Sequence, residues 1–117
     1  TVYTTVGGPL VGQTVTAPPS GIIRVGWSSY VDNNNAGQQS LIGPQLNAGA
    51  VVGAGATVVA VADGVSVRAL GNNAVQGANF TQYTGLTPGN SYNAFLLHRA
   101  TGATASFAQR SLEIEQK

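Results

Sequence analysis

The chain has 117 residues, of which five are Lys or Arg, four are Asp or Glu and one is His, so its net charge is +1. Charged residues make up 8% of it, where an ordinary soluble domain has about 25%. The length fits one domain able to hold its own core, while the absence of Cys excludes a disulfide framework, a zinc–thiolate centre and a cysteine nucleophile.

The opening Thr1-Val2-Tyr3-Thr4-Thr5 has neither the basic nor the apolar region of a signal peptide. Residues 1–10 read as an N-terminal arm, and 11–117 as a single β-sandwich domain. Gly12 to Ala17 alternates, with Val15 between Thr14 and Thr16, and predicts a strand closed by the turn Pro18-Pro19-Ser20-Gly21. Ile22 to Val31 is the best core strand: Ile23, Val25, Trp27 and Val31 share one face, Arg24, Ser28 and Tyr30 the other. Asp32-Asn33-Asn34-Asn35-Ala36-Gly37 reads as a loop, because Asn and Asp bond their own backbone and tolerate positive φ.

Gln38 to Leu46 predicts a strand interrupted at Gly43-Pro44, where the missing N–H implies an edge or a bulge. Ala48 to Ala56 is made of small residues and reads as a tight loop or a closely packed strand. Thr57 to Ala62 is apolar and ends at Asp63-Gly64, a turn pair. Val65 to Leu70 alternates up to Gly71-Asn72-Asn73, and Phe80 to Thr84 leads into the turn Gly85-Leu86-Thr87-Pro88-Gly89-Asn90. Ser91 to Ala100 sets Tyr92, Ala94, Leu96 and His98 against Phe95 and Leu97. Both faces are apolar, as for a central strand or one facing a partner. Thr101-Gly102 turns the chain into a last strand, Ala105 to Ile114. Eight or nine short strands with turns every 8–12 residues predict an all-β, jelly-roll-like antiparallel sandwich.

The chemistry-bearing residues are few. His98 is the only histidine; it lies mid-strand beside Arg99, away from any Ser or Asp at a motif spacing, and reads as a packed or interface imidazole. Asp32 and Asp63 fall in turns, and Glu113 and Glu115 alternate on the last strand. A distant pair such as Asp32 and Asp63 would have to converge to serve glycoside hydrolysis, and nothing in the sequence brings them together. Asp32 to Asn35 offers oxygen ligands but a single carboxylate, so a plain turn is favoured over calcium. Gly53 and Gly55 lack the βαβ context of a nucleotide fingerprint. No catalytic, metal or cofactor site is expected. Arg24, Arg68, Arg99, Arg110 and Lys117 are scattered, which gives nucleic acid no basic run to bind. The longest apolar stretch, Val58 to Ala62, is far below the ~20 residues of a membrane helix. A surface of Asn, Gln, Ser and Thr suits permanent association or polar contact, since amides and hydroxyls avoid the desolvation cost of ions. The candidate self-association residues are Tyr30, Phe95, Leu97 and His98, and the candidate structural turn is Pro88, Gly89 and Tyr92.

Gly85-Leu86-Thr87-Pro88-Gly89, Ser91-Tyr92, Leu96-Leu97-His98-Arg99, Thr101-Gly102 and Phe107-Ala108-Gln109-Arg110 occur as an ordered set. Pro19-Ser20-Gly21 and Asn35-Ala36-Gly37-Gln38-Gln39-Ser40 precede them. This set, spanning Pro18 to Ile114, resembles the small C1q/TNF-like jelly-roll modules of actinobacteriophage virion surface proteins. The resemblance implies a non-enzymatic, trimeric structural protein on the virion surface. Its type would be a capsid decoration or head-fibre protein, or a minor tail protein for host attachment. The implied partners are sister copies, major capsid or tail proteins, and a host surface glycan. In tail proteins the module usually ends a much longer chain. Leu86-Thr87-Pro88-Gly89 with Tyr92 is also similar to the tyrosine corner of fibronectin type III domains, which implies instead a secreted carbohydrate- or protein-binding module.

Overall fold

The computed structural model describes residues 10–33, 38–63, 66–70, 74–100 and 105–117. Eight antiparallel strands among them form an all-β, jelly-roll-like sandwich of two sheets. They are β1 (Gly12–Thr16), β2 (Ile23–Asn33), β3 (Gln39–Ala48), β4 (Thr57–Val59), β5 (Val67–Leu70), β6 (Val75–Tyr83), β7 (Ser91–Ala100) and β8 (Ala105–Gln116). One sheet runs β1-β7-β3, with β4 and β5 sharing the far edge of β3; the other runs β6-β2-β8. Residues 1–9 of the expected arm, 1–10, lie outside the described residues, as do the turns at Gly71-Asn72-Asn73 and Thr101-Gly102.

Period-two alternation explains β2 completely. Its residues alternate buried and half-buried from Ile23 to Asn33, and Ile23, Val25, Trp27 and Val31 point into the core. Ile42, Leu46, Val67, Ala69, Tyr92, Ala94 and Leu96 meet them from the other sheet. Each fully buried Ile, Leu or Val contributes about 1.5–3 kcal/mol by leaving water. The strand runs past Val31 into the expected loop because its inward polar residue, Asn33, is satisfied: Nδ2 donates to Ser40 Oγ at 3.0 Å, and Ser40 Oγ donates to Asp32 O at 3.0 Å.

Three elements differ from the sequence expectation. β3 is a central strand, not an edge. Its ladder to β5 ends at Ile42 and that to β4 begins at Leu46, so Pro44 stands at a gap in that side's pairing, where a missing N–H costs little. The expected strand Thr57 to Ala62 keeps only Thr57–Val59, exposed along its length, because β3 offers it just two paired positions. β6 begins at Val75, well before Phe80, since β2 supplies a continuous partner from Val31 back to Ile23.

Candidate functional site

The two outer faces of the sandwich are treated differently. On the β1-β7-β3 sheet, residues 49–55 fold back over the strands. Asn93, fully buried, holds them: Gly53 N–H donates to its Oδ1 at 3.0 Å, and its Nδ2 donates to Gly49 O at 3.0 Å and Ala54 O at 3.2 Å. Asn47 Nδ2 adds bonds to Ala54 O and Gly55 O. The carboxylate of Asp63 pairs with Arg99 from β7, so it is not available to converge with Asp32.

The outer face of β6-β2-β8 carries no such cover among the described residues. An open depression of about 1000 Å³ lies along it, lined by Arg24, Ser28, Phe80, Ser111 and Glu113, with Gly26 at its floor. Register explains the shape. Gly26 faces Phe80 on one side and Glu113 on the other, and without a side chain it leaves a hollow between them. The Arg24 guanidinium stacks 3.8 Å from the Phe80 ring centroid, a contact worth ~0.5–1 kcal/mol at an exposed site. Phe80 still leaves 55% of itself in solvent. Ser28 and Ser111, paired across the strands, join hydroxyls at 2.6 Å. Glu115 is held below the usual carboxylate range by its hydrogen bond from Lys117 Nζ and by the charges of Lys117 and Arg24. The face combines one shared cation, two carboxylates, two hydroxyls and an aromatic ring. That set suits polar contact with a partner or ligand; among the described residues no three His, Cys, Asp or Glu side chains gather as a metal site.

The four candidate association residues are not gathered on one surface. Tyr30 lies half-buried on the outer face of β2, while Phe95, Leu97 and His98 belong to β7 in the opposite sheet. Phe95 is 4% exposed, covered within one copy. Leu97 is half-buried, and the His98 ring packs 4.5 Å from Phe107.

Pro88 and Gly89 occupy the centre of a four-residue turn, with Asn90 N–H donating to Thr87 O at 3.1 Å and Gly89 at φ 86°. This is a type II turn, whose third position needs positive φ. Thr87 N–H donates to the hydroxyl of Tyr92 at 2.9 Å, which ties the turn to the start of β7.

Sequence reading missed Phe80 and Asn93. Alternation did place Arg24 and Ser28 on one face. The missing signal was register, because only the pairing of Gly26 with Phe80 shows that the ring borders a hollow.

No family model, curated protein or solved structure matches the chain.

Proposed function

We propose that this chain is a non-enzymatic structural module of a phage particle surface, displayed as associated copies, as a decoration or head-fibre protein or a tail-associated attachment module. The observation that carries this reading is the asymmetry of the sandwich. One outer face is covered by the chain's own 49–55 segment, and the other presents Phe80, Arg24 and a hydroxyl-lined hollow to a partner. Burying such a face against a sister copy, a capsid protein or a glycan desolvates Arg24, Glu113 and Glu115, so the contact has to be polar, with partner groups that satisfy them. The ordered motifs from Pro18 to Ile114 supply the phage assignment, and the resemblance puts the copy number at three. The test is an antibody raised against the chain, applied to intact particles from the lysate that contains it. Labelling of the particle surface is the expected result. Label found only in the particle-free secreted fraction contradicts the reading.

A second reading, a secreted fibronectin-type binding module, is favoured by two observations. Tyr92, at the start of β7, bonds the backbone five residues upstream, as a tyrosine corner does, and the central pairings β2–β6 and β3–β7 match the B–E and C–F pairs of immunoglobulin-like sandwiches. The terminal strands depart from that arrangement, since β1 joins β7 and β8 joins β2.

A further inference from the structure

We propose that two copies of this chain join through the open edge of β6, strand against antiparallel strand, about a two-fold axis at Asn79. The inference rests on the reading that the chain works as associated copies, and it names the contact between them. β6 ends the three-stranded sheet, and among the described residues its only ladder partner is β2.

Hydrogen bonding shows which groups of β6 face away from β2. Lys117 N–H donates to Ile22 O at 3.0 Å. In an antiparallel sheet successive residues turn their peptide groups to opposite sides, so the even-numbered residues of β2 that continue this ladder bond β8 and the odd-numbered ones bond β6. In the observed register, odd residues of β2 face odd residues of β6. The even residues Gln76, Ala78, Phe80 and Gln82 therefore aim N–H and C=O out of the sheet. Phe80 N–H behaves accordingly: its acceptor is Asn79 Oδ1 at 2.8 Å, a neighbouring side chain bent over the edge.

The other edges are blunted. β8 carries Arg110, Glu113 and Glu115, shifts register opposite Ser28/Tyr30, and holds Gln109 at φ 49°. β1 is five residues long, and its Thr16 O already accepts Gln116 Nε2 at 2.7 Å. β4 and β5 have three and four residues. Charge, bulges, proline and shortness are the devices that keep sheet edges from pairing. β6 has nine residues, with no charge, no proline and an unbroken register.

A second copy fits this edge in the register that sets Asn79 opposite itself, because that register brings complementary residues together. With Asn79 facing its counterpart, Val75 faces Tyr83, Gln76 faces Gln82, Gly77 faces Thr81 and Ala78 faces Phe80, each pair twice. A large ring meets a small side chain, amide meets amide, and no like charges meet. The four outward residues pair among themselves and form about eight interchain backbone hydrogen bonds. The two Phe80 rings become diagonal neighbours about 7–8 Å apart, within reach of each other, and the two three-stranded sheets merge into one. An isologous contact closes at two copies, so together with the threefold association proposed above the assembly is a hexamer, and without it a dimer.

The chain has no cysteine, which makes cross-linking specific. Opposed residues of the non-hydrogen-bonded kind have Cα atoms about 4.5 Å apart, within reach of a disulfide. Asn79→Cys should therefore oxidise to a covalent dimer at micromolar concentration. Thr81→Cys, about 14 Å from its counterpart along the strand, should not. Ala78→Pro removes only an N–H that β2 does not use; it should abolish the dimer contact while the cooperative melt is kept. Gln76→Lys with Gln82→Lys sets like charges opposite one another and should weaken pairing about tenfold, whereas Gln76→Glu with Gln82→Lys should restore it. If the unmodified chain is a multimer but Asn79→Cys gives no cross-link and Ala78→Pro changes nothing, the edge contact is overturned and self-association stands. A monomer at every concentration overturns both.

Discussion

Asn93 is the residue whose replacement should hurt most for its size. Its amide is fully buried and makes three hydrogen bonds to the 49–55 segment. At about 1 kcal/mol net for each bond, and more for partners left buried without one, Asn93→Ala should cost about 3 kcal/mol or more. Asn93→Asp sharpens the argument. An aspartate can still accept from Gly53 N–H, but it turns a carboxylate oxygen toward the carbonyls of Gly49 and Ala54, where the amide donated. Its folded-state pKa is then raised above the unfolded value of about 3.9. With the folded state binding protons more tightly, stability falls as pH rises through about 3.9 and upward to the folded pKa. Urea midpoints should show Asn93→Asp well below the parent at neutral pH, with the gap narrowing near pH 4. Equal midpoints for parent and Asn93→Asp at neutral pH would refute the account of how this outer face is covered.

Other outcomes follow from single contacts. Gly55 and Gly89 share a φ of 88° and 86°, yet a Cβ at Gly55 would strike Ala48 O while one at Gly89 meets nothing within 4 Å. Gly89→Ala should cost only the left-handed strain, about 1–2 kcal/mol, and Gly55→Ala clearly more in the same urea titration. Trp27 is 3% exposed and its Nε1 has no acceptor among the described residues. Trp27→Phe should therefore be far milder than Trp27→Ala, which should cost about 3–5 kcal/mol in thermal melts. Burial pushes the Tyr83 hydroxyl up to about 12; ultraviolet titration should show Tyr83 ionising late, with stability lost as pH rises above about 10, the unfolded value.

Much of the fold can be read from residue order. The alternation Ile23, Val25, Trp27, Val31 is the inner face of β2, and Pro88-Gly89 carries the φ angles of its turn. The apolar character of both faces of β7 matches burial on both: Tyr92, Ala94 and Leu96 lie in the core, and Phe95 on the opposite face is buried too. What the sequence could not show is register and long-range cover. Residues 49–55 look featureless until Asn93, about 40 positions away in sequence, gathers their backbone groups. Pro44 argues locally for an edge, and only the gap between β4 and β5 explains it in a central strand. Phe80 reads as one more strand residue until the pairing with Gly26 sets it beside a hollow.

Association of copies through neutral contacts is read from the mass in solution, by light scattering at micromolar concentration in about 50 mM and about 1 M salt, where the Debye length falls to about 3 Å. The expected result is the same multiple of the chain mass at both ionic strengths, because few ions take part. A single-chain mass in both would contradict the claim and leave the fibronectin-type reading in its place.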